Sequence, residues 1–160
     1  MFLRIASLEE KKLIGKKVSM NVLDNKTFEL WQSFMKNRKS ISNVVGNNLY
    51  SIQVYSNLDY FKNFNPKNSF IKWAASEVSD HHNIPSNMEP FIIEKGKYAV
   101  FLHKGLASEF PKTANYIFSQ WIPNSDYSLD DRPHFELLGP KYKNNCSDSE
   151  EEVWIPIKKK

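Results

Sequence analysis

One pattern narrows the fold more than any other in this chain: strand, helix, strand, strand, read twice along 160 residues. The first copy spans about residues 11–79 and the second about 97–157. Residues 3–8 and 11–20 read as extended. Leu13, Ile14 and Val18 are the apolar positions of the second segment, and Gly15 is a candidate bulge. The turn Asp24-Asn25-Lys26-Thr27 leads into a helix reaching about Arg38, with Asn25 or Thr27 as cap and Glu29 in the first turn. Phe28, Trp31 and Met35, with Leu30 and Phe34 beside them, form its apolar face. A loop over 40–48, a strand over 49–55, a polar loop over 57–68 and a strand over 69–79 complete the first copy.

After a loop over 80–90, residues 90–94 read as a short connecting strand and 97–103 as a longer one. Pro111 suits the first turn of a helix. Ala114, Ile117, Phe118 and Trp121 follow at helical spacing, before Pro123 ends it. Residues 124–132 read as a loop. Two strands close the chain, His134-Phe135-Glu136-Leu137-Leu138 and Glu152-Val153-Trp154-Ile155-Pro156-Ile157, around the polar segment 139–151. A repeat of this size predicts two like modules about a pseudo-twofold axis, each a three-stranded sheet crossed by one helix. Joined, they make one α+β domain over 1–160 with a shared seam, and seams are favoured ligand sites.

The last two strands each carry an acid among apolar neighbours, Glu136 and Glu152. Such an acid is costly unless compensated, by a ligand or by a Lys or Arg. Alternation puts Glu152 and Trp154 on one face, and Val153, Ile155 and Ile157 on the other. Eleven Phe, seven Tyr and four Trp make 14% of the chain aromatic. That much ring surface fits an aromatic-lined cavity or an aromatic-rich core.

The formal charge is +4, part of it in the terminal Lys158-Lys159-Lys160. There is no basic stripe interleaved with aromatics and no helix-turn-helix or zinc-finger pattern, so no direct nucleic-acid contact is expected. Cys146 is the only cysteine. An internal disulfide is therefore impossible, which fits a reducing compartment, and the expected location is cytoplasmic. No apolar run approaches the roughly 20 residues of a membrane span. No cofactor fingerprint is present. His81 and His82 point apart on an extended chain and lack further ligands, so no metal site is expected. His103 reads as a structural donor, Cys146 as incidental, and the acidic run over 147–152 as a solvated hairpin loop.

Several landmarks together resemble the GyrI-like small-molecule-binding domain, the effector-binding domain of many AraC-type and MerR-type transcription regulators. They are Lys97-Tyr98-Ala99-Val100-Phe101 with His103-Lys104-Gly105, Trp121-Ile122-Pro123-Asn124-Ser125, Pro133-His134-Phe135-Glu136, and Glu152-Val153-Trp154-Ile155-Pro156-Ile157. The first half adds Asn25-Lys26-Thr27 before Leu30-Trp31, and Leu49-Tyr50-Ser51-Ile52-Gln53-Val54-Tyr55. The resemblance covers nearly the whole chain.

It implies a duplicated strand-helix-strand-strand module, two antiparallel sheets with two helices around a central groove. It implies multidrug binding, with Glu136 as the buried acid at the base of an aromatic pocket for drug-like or cationic compounds. Glu152 and Trp154 would support or line that pocket. Leu138 departs from the pattern, since the family often has Tyr there. Trp121, Tyr55, Trp73, Phe101 and Trp31 are the remaining candidate walls.

Three functions follow as expectations. The first is a binding module, for sensing or sequestration of a hydrophobic or cationic organic ligand. The second is a hydrolase of reactive cyclopropane-type compounds, with Glu136 as acid/base or nucleophile and Glu152 beside it. The third is an interaction protein, as with relatives that protect DNA gyrase. With Met1 opening the chain and no DNA-binding segment before the repeats, a free-standing protein is expected. Any regulatory role would then need a separate regulator partner or a homodimer.

Overall fold

The computed structural model describes all of residues 1–160. The chain runs β1 (Phe2–Leu8), β2 (Lys11–Met20), α1 (Thr27–Asn37), β3 (Val44–Val54), α2 (Asp59–Lys62), β4 (Phe70–Val78), β5 (Glu89–Ile93) and β6 (Gly96–Lys104). It continues through α3 (Phe110–Asn115), a π-helical segment (Tyr116–Trp121), α4 (Ile122–Asn124), β7 (Tyr127–Leu129), β8 (His134–Leu138) and β9 (Glu150–Lys159).

The strands form one antiparallel sheet in the order β1-β6-β9-β8-β3-β4-β2-β5, with short β7 added on β9. The two sheets expected from the repeat are therefore a single one. The reason is the ladder at the seam, where β3 of the first copy pairs with β8 of the second over five residues, Leu49 with Leu138 through Gln53 with His134. Around that ladder the order is symmetric, since β8, β9, β6 and β1 on one side answer β3, β4, β2 and β5 on the other. The middle pair of the seam is Ser51 and Glu136.

Two short links bend this sheet. β1 and β2 stand six places apart in the sheet, about 29 Å if it were flat. Only Glu9 and Glu10 join them, a reach of about 10 Å. Glu94 and Lys95 join β5 to β6 in the same way. The sheet must curl until its ends meet. Its inner face is filled by Leu8, Leu13, Tyr50, Ile52, Trp73, Ala75, Ile93, Tyr98, Val100, Phe135 and Trp154.

The outer face carries the helices, with α1 over Ile14, Ala74 and Val78 and the second helical stretch over Ala99, Phe101, Val153 and Ile155. In α1 the buried stripe is Leu30 and Phe34, with Trp31 packed beside them, whereas Phe28 and Met35 are exposed. The sheet accepts only the narrower stripe. Asn25 Oδ1 accepts the Thr27 N–H at 3.0 Å, while no side chain caps α1 at Lys26. No bulge occurs at Gly15, where the β2–β4 register runs unbroken from Leu13 to Met20. The glycine is needed for proximity, because a Cβ there would run into the Ala74 carbonyl and Ala75.

Three expected loops hold structure. β3 begins at Val44, where Val44 pairs with Val78 ahead of the irregular stretch at Gly46. Residues 57–68 contain α2, and 124–132 contain β7, held by the end of β9. β9 also begins two residues earlier than the pattern suggests, drawing Glu150 and Glu151 out of the supposed solvated loop and against β6.

Candidate functional site

At the centre of the seam ladder, Glu136 points from β8 to the outer face, between the two helical stretches. Gln53 Nε2 donates to Glu136 Oε1 at 3.3 Å, and no cation pairs with the carboxylate. Register places Lys72 opposite Gln53 on β4, one strand further away. Glu151 lies on the same outer face, diagonal to Glu136 across β9. Burial pushes the Glu136 carboxyl above its usual range, while the Lys72 charge and the Gln53 hydrogen bond pull it back. Glu151 is pushed up to about 8, by burial first and then by the like charge of Glu136, against Lys72.

Rings crowd the same face. Tyr55 follows β3, and its ring centroid lies 4.5 Å from Tyr60, 4.7 Å from Phe61 and 5.0 Å from His134. Burial, and then the charge of Glu136, raise the Tyr55 hydroxyl far above its ordinary range. Phe61 enters from α2 and stacks on His134 at 5.1 Å and on Phe118 at 5.2 Å. Phe118 comes from the π-helical segment, a wide turn that is rare and often marks functional positions. His134 is buried, and burial with the Arg132 charge lowers it to about 3, so it stands as a neutral ring. Phe61 thus bridges the β3–β4 loop to the second helical stretch, above the ring two residues from Glu136.

The structure brings Glu136 and Tyr55 together and sends the other candidates elsewhere. Glu152 and Trp154 face the curled interior, because β9 opposes Val153, not its neighbours, to Glu136. The acid of Glu152 is compensated there. Arg4 donates both Nη groups to it at 3.1 and 3.2 Å and lies 5.5 Å from the Trp154 ring, whose Nε1 donates to Glu152 Oε1 at 3.0 Å. Trp73 also lies inside, against Phe91 at 4.8 Å. Phe101 is fully buried beneath the second helical stretch with Trp121 edge-on at 5.2 Å, and Trp31 packs beside Phe34 in α1.

The residues that sequence reasoning missed are Glu151, Gln53, Lys72, His134, Phe61 and Phe118. Gln53 and His134 were within reach of it, since each lies two places from a seam-centre residue and shares its face. Glu151 was hidden by the strand boundary.

Outside the centre, His103 Nδ1 lies 2.6 Å from the Thr113 hydroxyl and Nε2 lies 3.1 Å from the Leu106 carbonyl. Since the carbonyl can only accept, Nε2 donates to it. His81 Nε2 lies 2.9 Å from the Leu13 carbonyl, so it donates there, and His82 is exposed beside Asp80.

The model of the GyrI-like small-molecule-binding domain matches residues 1–158. The chain belongs to this family. No curated protein matches it by sequence. Three solved structures share the fold at low identity. The EcmrR C-terminal domain has a TM-score of 0.76 at 14% identity, over 100% of this chain and 99% of that one. SAV2435, solved bound to tetraphenylphosphonium, has a TM-score of 0.73 at 16% identity, over 99% and 94%. A hydrolase from Listeria innocua has a TM-score of 0.58 at 14% identity, over 97% and 91%. No helix of the chain is long and apolar enough to cross a membrane.

Proposed function

We propose that this GyrI-like domain captures an amphipathic or cationic organic molecule against Glu136, for sensing or sequestration, linked to transcription regulation through a separate partner. One observation carries the reading: an acid at the centre of the seam, on the face where Tyr55 and Phe61 gather on His134, and lacking a cationic partner. Glu151 adds a second acid on the same face, with Lys72 the one positive charge acting on both. A lipophilic cation supplies the missing charge and gains cation–π attraction of about 0.5–2 kcal/mol from each well-placed ring. Phe61 fills the space above His134, so a ligand enters by displacing the α2 turn. The solved complex of SAV2435 with tetraphenylphosphonium supports this ligand class through the shared fold.

Titration with tetraphenylphosphonium and with neutral triphenylphosphine oxide tests the charge. Glu136→Gln weakens the phosphonium about tenfold and leaves the oxide within a factor of two, since an unscreened charge contact of this kind is worth about 1.4 kcal/mol. Equal losses for both compounds reject the role of Glu136.

A hydrolase of reactive cyclopropane-type compounds is the second reading. Glu152 cannot be the partner acid, because it faces the interior and is paired to Arg4. The observation that favours the reading is Glu151, which holds a proton at neutral pH beside Glu136 and so could serve as the acid of an acid/base pair. Product analysis of each stabilising compound decides: turnover lost in Glu151→Gln supports it, and recovery of the compound intact opposes it.

A further inference from the structure

Helix α1 is apolar on two sides, and the sheet uses only one of them. Leu30 and Phe34 are buried over β2 and β4, yet Phe28 and Met35 on the outward side leave 72% and 45% of their surface in solvent. The second half supplies a contrast within the same chain. Ile117, Phe118 and Trp121 of its helical stretch are all buried or half-buried. A helix with apolar side chains on opposite faces is ordinarily covered on both.

The outward face has a definite order. At about 100° per residue, Phe28, Gln32 and Met35 form its central row, and all three are exposed. Glu29 and Lys36 lie along one flank of that row, both exposed and neither paired with an opposite charge within the chain. Below this flank, Ser33 accepts from Lys16 Nζ at 2.8 Å, which ties the helix to β2. Half-buried Trp31 lies along the other flank, edge-on to Phe34 at 5.8 Å. We infer that the Phe28–Met35 face of α1 is a self-association surface, on which a second copy of this chain docks with its own α1 antiparallel about a twofold axis at Gln32.

Charge and shape select that partner together. In an antiparallel pair each flank meets the same flank of the other helix, so Glu29 of one copy faces Lys36 of the other. In the same register Phe28 faces Met35, a favourable ring–thioether contact. Both pairings centre within half a residue of Gln32, and twofold symmetry makes each of them twice. Gln32 meets its own copy on the axis, where two amides can exchange hydrogen bonds and fix the register. A parallel pair would instead set the charged flank against the Trp31 flank. The face of an eleven-residue helix is about 16 Å long, at the small end of specific interfaces, so dissociation is expected at about 10–100 μM. The inference is independent of the Glu136 reading, since none of these residues belongs to the rings around that acid.

Sedimentation velocity of the full chain at low salt, from about 5 to about 500 μM, tests it. The parent passes from monomer to dimer over this range, and Phe28→Ser stays monomeric. Glu29→Lys or Lys36→Glu alone weakens the dimer about tenfold, because each sets two like-charge pairs across the contact. The two changes together restore it to within a factor of two, a recovery that general stickiness does not give. In a Cys146→Ser background, which removes the one native thiol, mild oxidation crosslinks Gln32→Cys to its own copy. Glu29→Cys does not crosslink, since its two Cα atoms lie about 10 Å apart along the helices. Gln32→Cys leaves the charges and the rings in place, so it keeps the test valid if a charge variant misfolds. A chain monomeric throughout leaves this face to a different protein and overturns the inference. A dimer indifferent to Phe28→Ser, or one that the double charge reversal does not restore, overturns it as well.

Discussion

Two acids of β9, adjacent in sequence, meet opposite fates because a strand turns successive side chains to opposite faces. Glu152 goes inward to Arg4 and Trp154, while Glu151 goes outward toward Glu136. Arg4→Ala is expected to cost about 1 kcal/mol at most, since the pair is partly solvated, and to leave phosphonium affinity unchanged in the same titration. Glu151 predicts a pH dependence. Its ordinary value is 4.5 and its folded value about 8, so between these the folded chain holds a proton that the unfolded chain has lost. Stability therefore falls as pH rises through this window and levels off above it. Glu151→Gln removes that decline, leaving the variant about 2 kcal/mol more stable than the parent at pH 9 once solvent access is allowed for, and no more stable at pH 4. Urea unfolding at the two pH values checks it. A bound cation favours the ionised acid, so phosphonium affinity rises from pH 7 to 9 in the parent and stays flat in Glu151→Gln.

Among the elements, α2 is a single four-residue turn, and in the proposed reading it is the one that covers Glu136. The turn, Asp59–Lys62, supplies both Tyr60, packed on Met20 and Phe70, and Phe61, stacked on His134 and on Phe118. Phe61→Ala removes that bridge. It is expected to cost about 1–2 kcal/mol, less than a fully buried Phe, and to speed phosphonium association several-fold in stopped-flow measurements. Sequence periodicity gave no sign of α2, because four residues offer no helical repeat to read. The regular strands were legible for the opposite reason: β3, β4, β6 and β8 carry β-branched and aromatic runs, and β3, β4 and β6 are buried on both faces over four consecutive residues. The site was legible only in part. Glu136 betrays itself as an acid in an apolar strand, whereas Phe61 and Phe118 reach it through tertiary packing alone. Trp73 and Trp154 were misplaced because an aromatic in a strand looks the same on either face.

Over the whole molecule, the β3–β8 ladder turns two halves into one sheet, with Phe135 and Tyr50 in the single interior cluster. Separate melting of the halves is therefore not expected. Heating should give one transition, with tryptophan fluorescence and far-ultraviolet dichroism coincident and calorimetric and van't Hoff enthalpies equal. Two resolved transitions would contradict the shared interior. The curled sheet also exchanges its leading strands between halves. β1 precedes the first half but pairs with β6 of the second, and β5 precedes the second half but pairs with β2 of the first. On the ribosome, Phe2–Leu8 consequently waits for Gly96–Lys104 to be synthesised, some 5–20 s at ordinary elongation rates. For that interval a nascent chain displays a sticky, partnerless ribbon, a natural client for a chaperone stationed at the exit tunnel.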